Sequence, residues 1–501
     1  MNSLIVLGIA SILLPIIYNV GRAFYNVYLH PLSKFPGPKF MAASRIPYAW
    51  HLYHGTLNAT VHEAHKKYGE VVRVAPNELS FTSGETAWED IYGLHPSKTS
   101  KGQWLKDTKL FYQPAPNGVA SIIGQPTVRG HAKHRRTLAH AFSDKALREQ
   151  EGILQQYVNL LIIRLNEQCE GKKKATLDMV KWYNFITFDI MGDLAFGESF
   201  HSLDNRDYHP FIAMIFQGAV QSIGYNIIMR IYPLLKRVST LLGLGVPEAK
   251  RRELLQFASN KVDDRMSLET TRPDFMFYAT KHQGNEDIGL TQPELHSDMF
   301  ILINAGSETT ATTLSGATYF LLKHPEKLKR LQGEIRSRFN SLDEITIEAV
   351  NSMPYLIAVL QEGLRFYPPV PTGFPRKVPA GGDRISGYEV PEDTSVYVSQ
   401  YATNHSVRNF KQPDEWIPER WLEGNKEFAS DNRVATQPFS YGPRNCIGKN
   451  LAYAEMRLIL AKVIWSFDWE LLPESDNWIK QRVFTLWKKP PLMMNLKPVV
   501  R

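Results

Sequence analysis

The sequence predicts a mainly α-helical fold with small β-sheets, built as a single large domain behind an N-terminal transmembrane helix. Apolar residues recur at helical spacing over most of the 501-residue chain, whereas strand-like alternation is confined to short stretches. Residues 4–20 form an almost continuous apolar run. After about residue 40 no repeat or low-complexity linker divides the chain, which favours one domain over several.

The composition is that of an ordinary globular protein, with 43% hydrophobic and 22% charged residues. The net charge of +8 is a mild excess, suited to an anionic membrane surface or an acidic protein partner and too small for a nucleic-acid-binding protein. The 2 cysteines, Cys169 and Cys446, exclude a disulfide framework. Cys169 lies between Glu170 and a run of lysines, so we expect it to be exposed and without a role.

Residues 1–22 are predicted to be a membrane anchor. The segment carries no charge before Arg22, and about 20 apolar residues in a helix reach across a bilayer core. The basic region and small-residue cleavage site of a signal peptide are not evident, and a buried core helix is the remaining alternative. The basic residues that follow, Lys34 and Lys39 among them, place the rest of the chain in the cytosol.

Behind the anchor, residues 23–40 are predicted to be a Pro-rich hinge and residues 41–501 the folded domain. Residues 1 to about 30 are expected to act only as a tether. Within the domain, apolar spacing predicts a helix over 325–339, and a capping box predicts another from Thr291 to about Lys323. Residues 385–401 are predicted to form strands around a turn.

The most specific segment is FSYGPRNCIG at residues 439–448. Gly442 and Gly448 let the backbone turn tightly and approach a flat ligand. Backbone N–H groups and Arg444 can hold the sulfur of Cys446 as a thiolate, the form that binds metal, and a helix begins directly afterwards. A lone buried cysteine is usually inert packing, but that alternative leaves the surrounding pattern unexplained.

A second motif, AGSETT at residues 305–310, lies at the centre of the helix that begins at Thr291. Small residues at its start leave room for a flat cofactor or dioxygen against the backbone. Glu308 and Thr309 set an acid beside a hydroxyl in a mostly apolar helix, which is costly unless both are hydrogen-bonded. The alternative is a Thr309 hydroxyl bonded to its own helix, with Glu308 on the solvent face.

These segments resemble the cytochrome P-450 family of haem-thiolate enzymes. Residues 439–448 match its Phe-x-x-Gly-x-Arg-x-Cys-x-Gly signature at every fixed position, from Phe439 to Gly448, and residues 305–309 resemble its oxygen-activation motif. The resemblance covers essentially the whole chain and is strongest from 298 to 460. It implies haem b as the cofactor with Cys446 as its axial thiolate. It also implies that Glu308 and Thr309 deliver protons.

The resemblance extends to arginines. It implies a structural triad of Glu362, Arg365 and Arg420, which joins a Glu-x-x-Arg pair to a Pro-Glu-Arg-Trp segment. Bidentate pairing makes arginine suitable for binding the haem propionates. The arginines implied at these positions are Arg135, Arg376 and Arg444.

Residues 128–141 form a basic, histidine-rich helix. His131 stands where many members of the family have tryptophan, so its contact with a propionate stays open. The histidines could also be interpreted as a metal cluster. With no carboxylate or cysteine nearby in the sequence, a solvated basic face is favoured. The sequence of residues 131–151 resembles that of filamentous-fungal enzymes of secondary metabolism.

The implied activity is insertion of one oxygen atom from O2 into an apolar small molecule, such as a terpenoid, polyketide or alkaloid. The sequence lacks a flavin or nicotinamide fingerprint, so an NADPH-dependent flavoprotein reductase is the expected electron donor, with cytochrome b5 as an optional second donor. The expected location is the endoplasmic reticulum membrane, single-pass, with a cytosolic catalytic domain. Reductase-independent rearrangement of hydroperoxides and a non-enzymatic membrane haem carrier or sensor remain as alternatives.

The walls of the substrate pocket are expected in residues 102–126, 211–244 and 372–374. The apolar side chains that these segments offer are Trp104, Phe111, Tyr112, Ile122, Phe216 and Phe374.

Overall fold

The computed structural model describes residues 2–96, 101–108, 112, 115, 117–216, 248–268, 270–281, 283–285 and 288–500. Over these residues the protein is mainly helical with small sheets, as the periodicity predicts. The helices are α1 (Asn2–Tyr28), α2 (Lys39–Ala43), α3 (Ile46–Tyr53), α4 (Leu57–Tyr68), α5 (Ala87–Tyr92), α6 (Val128–Ala139), α7 (Asp144–Cys169), α8 (Met179–Phe196), α9 (Ser202–Asn205), α10 (Glu248–Met266), α11 (Phe275–Thr280), α12 (Gln292–Lys323), α13 (Pro325–Arg338), α14 (Ile347–Val350), α15 (Pro354–Phe366), α16 (Gln400–Asn404) and α17 (Lys449–Ser466).

The strands are short and form small sheets. They are β1 (Val71–Ala75), β2 (Glu78–Phe81), β3 (His95–Pro96), β4 (Lys101–Gly102), β5 (Ala175–Asp178), β6 (Arg376–Lys377), β7 (Asp383–Ile385), β8 (Tyr388–Val390), β9 (Ser395–Val398), β10 (Phe467–Leu471), β11 (Arg482–Phe484), β12 (Leu486–Lys488) and β13 (Met493–Pro498). The largest sheet has the order β1-β2-β9-β6, in which only β2 and β9 run parallel. A second sheet, β10-β13-β5, joins the C-terminal strand to the segment before α8.

The strand prediction for residues 385–401 is confirmed in part. Strands β7, β8 and β9 begin within or just before this range, and the turn between β8 and β9 lies where Pro391 and the acidic residues after it predict a turn. The end of the range is helical instead, because α16 begins at Gln400.

Helix α12 lies at the centre of the fold. It packs along α8, while α10, α15 and α17 contact its other sides. Its start is fixed by the predicted capping box, in which Thr291 N–H donates to the Glu294 carboxylate at 2.8 Å. The predictions of this helix, of α13 and of a helix after the cysteine loop are confirmed. Local signals place these ends because the groups that satisfy them are close in the sequence.

The N-terminal helix α1 is tied to the folded domain at its C-terminal end. Asn26 is buried, and its side-chain amide donates to Ala43 O at 2.8 Å. Arg73 of β1 donates to Asn26 O at 2.7 Å. Among the helices in the described part of the chain, none combines the length and the apolar character needed to cross a bilayer. The predicted transmembrane helix is therefore not shown by the structure.

Cys169 corrects one prediction from the sequence. It is the last residue of α7, only 4% exposed, and its Sγ lies 3.7 Å from Leu496 O of β13. The prediction of an exposed cysteine is wrong, because the β10-β13-β5 sheet covers the end of α7. The charged residues after Cys169 mark the turn beyond the helix and give no information about the helix's last buried position.

Candidate active site

The loop of residues 439–448 is a tight backbone turn that leads into α17. Ser440 and Gly442 both have positive φ, at 61° and 72°. A Cβ on Gly442 would lie 2.0 Å from Tyr92 O at the end of α5, so this close approach requires glycine. Cys446 N–H donates to Phe439 O at 2.8 Å and closes the loop. The glycine at position 442 of the motif therefore has a direct steric reason.

The thiol of Cys446 borders an interior space. The residue is exposed, yet it is enclosed by protein, and burial raises the pKa of its thiol. The Gly448 N–H, which hydrogen-bonds to the sulfur, and the nearby cations of Arg135 and Lys449 act in the opposite direction and lower this pKa. These groups favour a thiolate at a place that a bulky ligand can reach.

On α12, Thr309 and Glu308 face different surroundings. Thr309 Oγ1 donates to Ala305 O at 2.6 Å, which is the back-bonded geometry considered as the alternative. Glu308 does not lie on a solvent face, since its side chain is 12% exposed and forms an ion pair with Lys489. The acid and the hydroxyl are therefore not in direct contact and use different faces of the helix.

Gly306 allows helix packing. A Cβ at this position would lie 2.6 Å from Met191 Sδ of α8, so the missing side chain lets α8 approach α12. The structure assigns the space at Gly306 to a protein side chain, whereas the sequence suggested room for a cofactor or dioxygen. Ala305, one residue earlier, is partly exposed.

A cluster of basic side chains lies beside the cysteine loop. Its members are Lys106, His131, Arg135, Arg376 and Arg444. Burial, followed by the charges of Arg376 and Arg444, lowers the pKa of Lys106 well below its usual range. Burial and Arg376 lower the pKa of Arg444 to about 10. For His131, burial and then the cations Arg444, Lys106, Arg135 and Arg376 lower the pKa to about 3. The basic side chains of the cluster thus lower one another's pKa, which disfavours their positive charge.

The three implied arginines differ in how many of their N–H donors are already hydrogen-bonded to protein groups. Arg444 donates to Gln103 Oε1, Gln125 O and Thr127 O at 2.8–2.9 Å. Arg135 clamps the cysteine loop by donating to Asn445 O and Oδ1 at 2.6 and 2.8 Å. Arg376 keeps a buried Nε without a hydrogen-bond partner among the described residues, and its Nη1 reaches Trp104 O only at 3.3 Å.

These features fit haem b. The enclosed thiol can be the axial ligand, and the basic cluster suits the two carboxylates of the cofactor. Arg376 offers the clearest free donor, and Lys106 is a further member of the cluster that the sequence analysis missed. A single lysine in a polar stretch carries no signal of burial, and Lys106 is revealed only by its 7% exposure and its neighbours.

The triad implied at Glu362, Arg365 and Arg420 is confirmed as a buried cluster. Arg365 donates to both oxygens of Glu362 at 2.7 and 2.8 Å, and Arg420 Nε donates to Glu362 Oε1 at 3.2 Å. All three side chains are fully buried. Trp421 Nε1 and Ile417 N also donate to the carboxylate, both at 2.8 Å. The cluster joins α15 to the 3-10 turn at Pro418–Trp421 and is structural.

The prediction of a solvated face for the histidines of helix α6 needs a correction. His131 and His134 are 5% and 0% exposed, so they do not lie on a solvated face. His134 Nδ1 lies 2.5 Å from Asp298 Oδ2, which attaches α6 to α12. A carboxylate is therefore adjacent in space although none is near in the sequence. In the described ranges, no group of three or more histidine, cysteine, aspartate or glutamate side chains is placed to hold a metal ion.

A buried acid on α17 was also missed. Glu455 is 1% exposed and hydrogen-bonds to Thr310 of α12, and burial raises the pKa of its carboxyl to about 8. An acid within an amphipathic-looking helix gives no sequence signal that it faces inward. Of the expected pocket walls, Trp104, Tyr112 and Ile122 are buried, while Phe111 and residues 217–244 lie outside the described residues.

Comparison with known proteins agrees with this site. The family model of cytochrome P450 matches residues 38–496. Cytochrome P450 monooxygenase lcsI of Purpureocillium lilacinum is 47% identical over 489 residues, covering 97% of this chain and 93% of that protein. Cytochrome P450 monooxygenase traB of Penicillium crustosum is 45% identical, with 98% and 96% covered. Cytochrome P450 monooxygenase aclL of Aspergillus oryzae is also 45% identical, with 97% of both chains covered.

Proposed function

The chain belongs to the cytochrome P450 family, and from this premise we propose that it hydroxylates or epoxidises an apolar small molecule in a fungal secondary-metabolite pathway. Membership makes the protein an oxygen-incorporating oxidoreductase that uses haem with an axial cysteine thiolate and needs a redox partner. The pathway class is supported by similarity to fungal relatives over nearly the whole chain and by the sequence of residues 131–151.

Cys446 is the proposed axial ligand. The observation that carries this proposal is the enclosed yet accessible thiol, with a backbone N–H bonded to its sulfur and two cations near it. Cys169 is unsuited, since its thiol is packed against β13. When bound, haem supplies the activation of O2, and the thiolate donates electron density that favours cleavage of the O–O bond.

Residues of the basic cluster hold and orient the cofactor in this proposal. Arg376 would bind a propionate through its unpartnered Nε, and Lys106 lies in the same cluster as a further donor. Arg135 and Arg444 keep the loop around Cys446 in place through their bonds to Asn445 and to the segment before α6.

Glu308 and Thr309 are the proposed proton-delivering residues. Each turnover consumes one O2, two electrons and two protons, and yields the oxygenated product and water. In this proposal the Thr309 hydroxyl positions a water molecule beside the α12 backbone, and this water is the immediate proton donor. Glu308 carries protons to it from solvent. The acid–hydroxyl pair favours a monooxygenase over hydroperoxide rearrangement or a haem carrier, because neither alternative consumes delivered protons.

The electron donor is proposed to be an NADPH-dependent flavoprotein reductase, with cytochrome b5 as an optional second donor. Lys449 is exposed directly after the cysteine loop and Arg136 is exposed on α6, so both can contact an acidic partner. We place the enzyme at the endoplasmic reticulum membrane. Exposed apolar side chains near the N-terminus support membrane contact, such as Phe24, Trp50 and Tyr53 at 58%, 63% and 59% exposure.

The test combines a spectrum with turnover. The reduced, CO-bound protein is expected to show the red-shifted Soret band of thiolate ligation, which Cys446→Ser abolishes and Cys169→Ser retains. With reductase and NADPH, the protein is expected to oxygenate apolar substrates. Loss of the band in Cys169→Ser instead would refute the assignment of Cys446 as the axial ligand. Reductase-independent isomerisation of a hydroperoxide would favour rearrangement, and a thiolate spectrum without either reaction would favour a carrier.

A further inference from the structure

Lys489 is a buried lysine directed at the candidate proton-delivering acid. It follows β12 directly, and its side chain is 3% exposed, whereas the neighbouring Lys488 is exposed. Its ammonium group donates to Glu308 Oε1 and to Thr312 Oγ1, the latter at 2.6 Å. A lysine seldom gives up this much hydration unless charged or polar partners replace water.

The two partners of Lys489 share one face of α12. Residues 308 and 312 are one helical turn apart, so they lie above each other, whereas Thr309 is turned by about 100° around the axis. The second oxygen of Glu308, Oε2, is buried without a hydrogen-bond partner among the described residues. The direction of the carboxylate is therefore set mainly by its contact with Lys489.

The other titratable groups that face Glu308 are phenols from two further segments. Burial raises the pKa of Tyr208 above its usual range, and the Glu308 charge raises it further. Burial and then Glu308 raise the pKa of Tyr367, at the end of α15, in the same way. Both phenols are neutral near pH 7, so Lys489 supplies the positive charge facing this carboxylate in the described structure.

We propose that Lys489 is a positioning residue for proton delivery, which holds the Glu308 carboxylate on the 308/312 face so that it can accept a proton from solvent. The inference rests on the proposed function of Glu308. In the step, a proton leaves solvent hydronium and bonds to a Glu308 oxygen. The same proton then passes to water at the Thr309 hydroxyl, and the carboxylate is restored without transfer of electrons.

Removing the ammonium group changes the charge state of Glu308. A buried carboxylate without a cation is costly, so Lys489→Met is expected to shift Glu308 toward its protonated form. Without its ion pair the Glu308 carboxyl is a weaker acid and is no longer held on the 308/312 face, so it passes its proton on more slowly. Product formed per NADPH is therefore expected to fall on the order of tenfold, measured over a range from about pH 6 to pH 9.

The experiment uses the haem-loaded full chain and two readouts. Infrared difference spectra report the protonated-carboxyl band, and turnover reports product per NADPH against pH. Lys489→Met and Lys489→Gln are expected to gain a pH-dependent band that is lost when Glu308→Gln is added to either. The Lys489→Arg variant keeps the wild-type profile because it keeps the charge, and Lys488→Met is the matched surface control.

A pH profile in Lys489→Met and Lys489→Gln that matches the wild type would overturn the proposal. A new carboxyl band that persists after Glu308→Gln would also overturn it, because another acid would then be titrating. Failure of the underlying function looks different, since wild-type protein would then lack NADPH-supported product formation while Lys489 variants could still alter the infrared band.

Discussion

Glu455 leads to a quantitative prediction about stability and pH. It lies on α17, almost fully buried, with Thr310 as its hydrogen-bond partner and Oε1 without one among the described residues. Burial raises the pKa of its carboxyl from 4.5 to about 8. The perturbation is Glu455→Gln, which keeps the size and hydrogen-bonding capacity of the side chain and removes its ability to ionise.

The sign follows from proton linkage. Since the pKa is higher in the folded protein, the unfolded chain releases its proton first as the pH rises. The stability associated with the neutral acid is fully present below about pH 4.5 and is lost as the pH rises through about pH 8. Each pH unit between these limits corresponds to about 1.4 kcal/mol, which gives an upper value of about 5 kcal/mol. That is a large fraction of the stability of a typical domain.

The assay is the thermal midpoint of haem-loaded wild type and Glu455→Gln from about pH 5 to pH 9. We expect similar midpoints near pH 5 and a growing advantage of Glu455→Gln toward pH 9. Glu474→Gln, which changes an exposed acid, is the matched control and is expected to follow the wild type. Parallel curves for wild type and Glu455→Gln would refute the reasoning, because Glu455 would then titrate alike in the folded and unfolded chains.

Two further predictions concern the active-site helix and the buried triad. Thr309→Ala is expected to keep the haem spectrum and to lower product per NADPH about tenfold, equivalent to about 1.4 kcal/mol. The control Ser315→Ala loses the same kind of back-bond, at 2.7 Å, and is expected to stay coupled. Full coupling in Thr309→Ala would contradict the role of Thr309 in proton delivery. Glu362→Gln leaves buried arginine charge uncompensated, so we expect a loss of about 3–5 kcal/mol in unfolding free energy and reduced haem content, whereas Glu63→Gln on the surface changes neither. An unchanged thermal midpoint in Glu362→Gln would contradict that expectation.

Features with local physical causes could be predicted from the sequence. The start of α12 depends on Thr291 and Glu294, three positions apart, and the turn in the cysteine loop depends on Gly442. In both cases the residues that create the structure are neighbours in the chain. Helix periodicity likewise needs only one face of one helix, which explains why α13 was found with its buried leucines.

Features that depend on distant partners could not be predicted. Lys489 and Glu308 are 181 residues apart, and no motif connects them. The burial of Glu455 depends on α12 crossing α17, and that of Cys169 depends on β13 covering α7. Charged residues in a sequence favour exposure, so a buried charge is recognised only when the fold supplies its partner. The electrostatics of the site therefore came from the structure, while its chemistry came from the motifs.

The N-terminal segment shows the same limit in a testable form. The sequence predicted that residues 1 to about 30 only tether the protein, but Asn26 binds Ala43 and Arg73, and Leu32 is fully buried. A chain that begins at Gly21 keeps these contacts. One that begins at Ser33 loses Leu32 and leaves a buried Arg73 donor unpaired, which costs about 2–5 kcal/mol. We therefore expect a lower thermal midpoint and less bound haem in the shorter chain only. Equal midpoints for the two chains would show that these contacts add nothing to the stability of the folded domain.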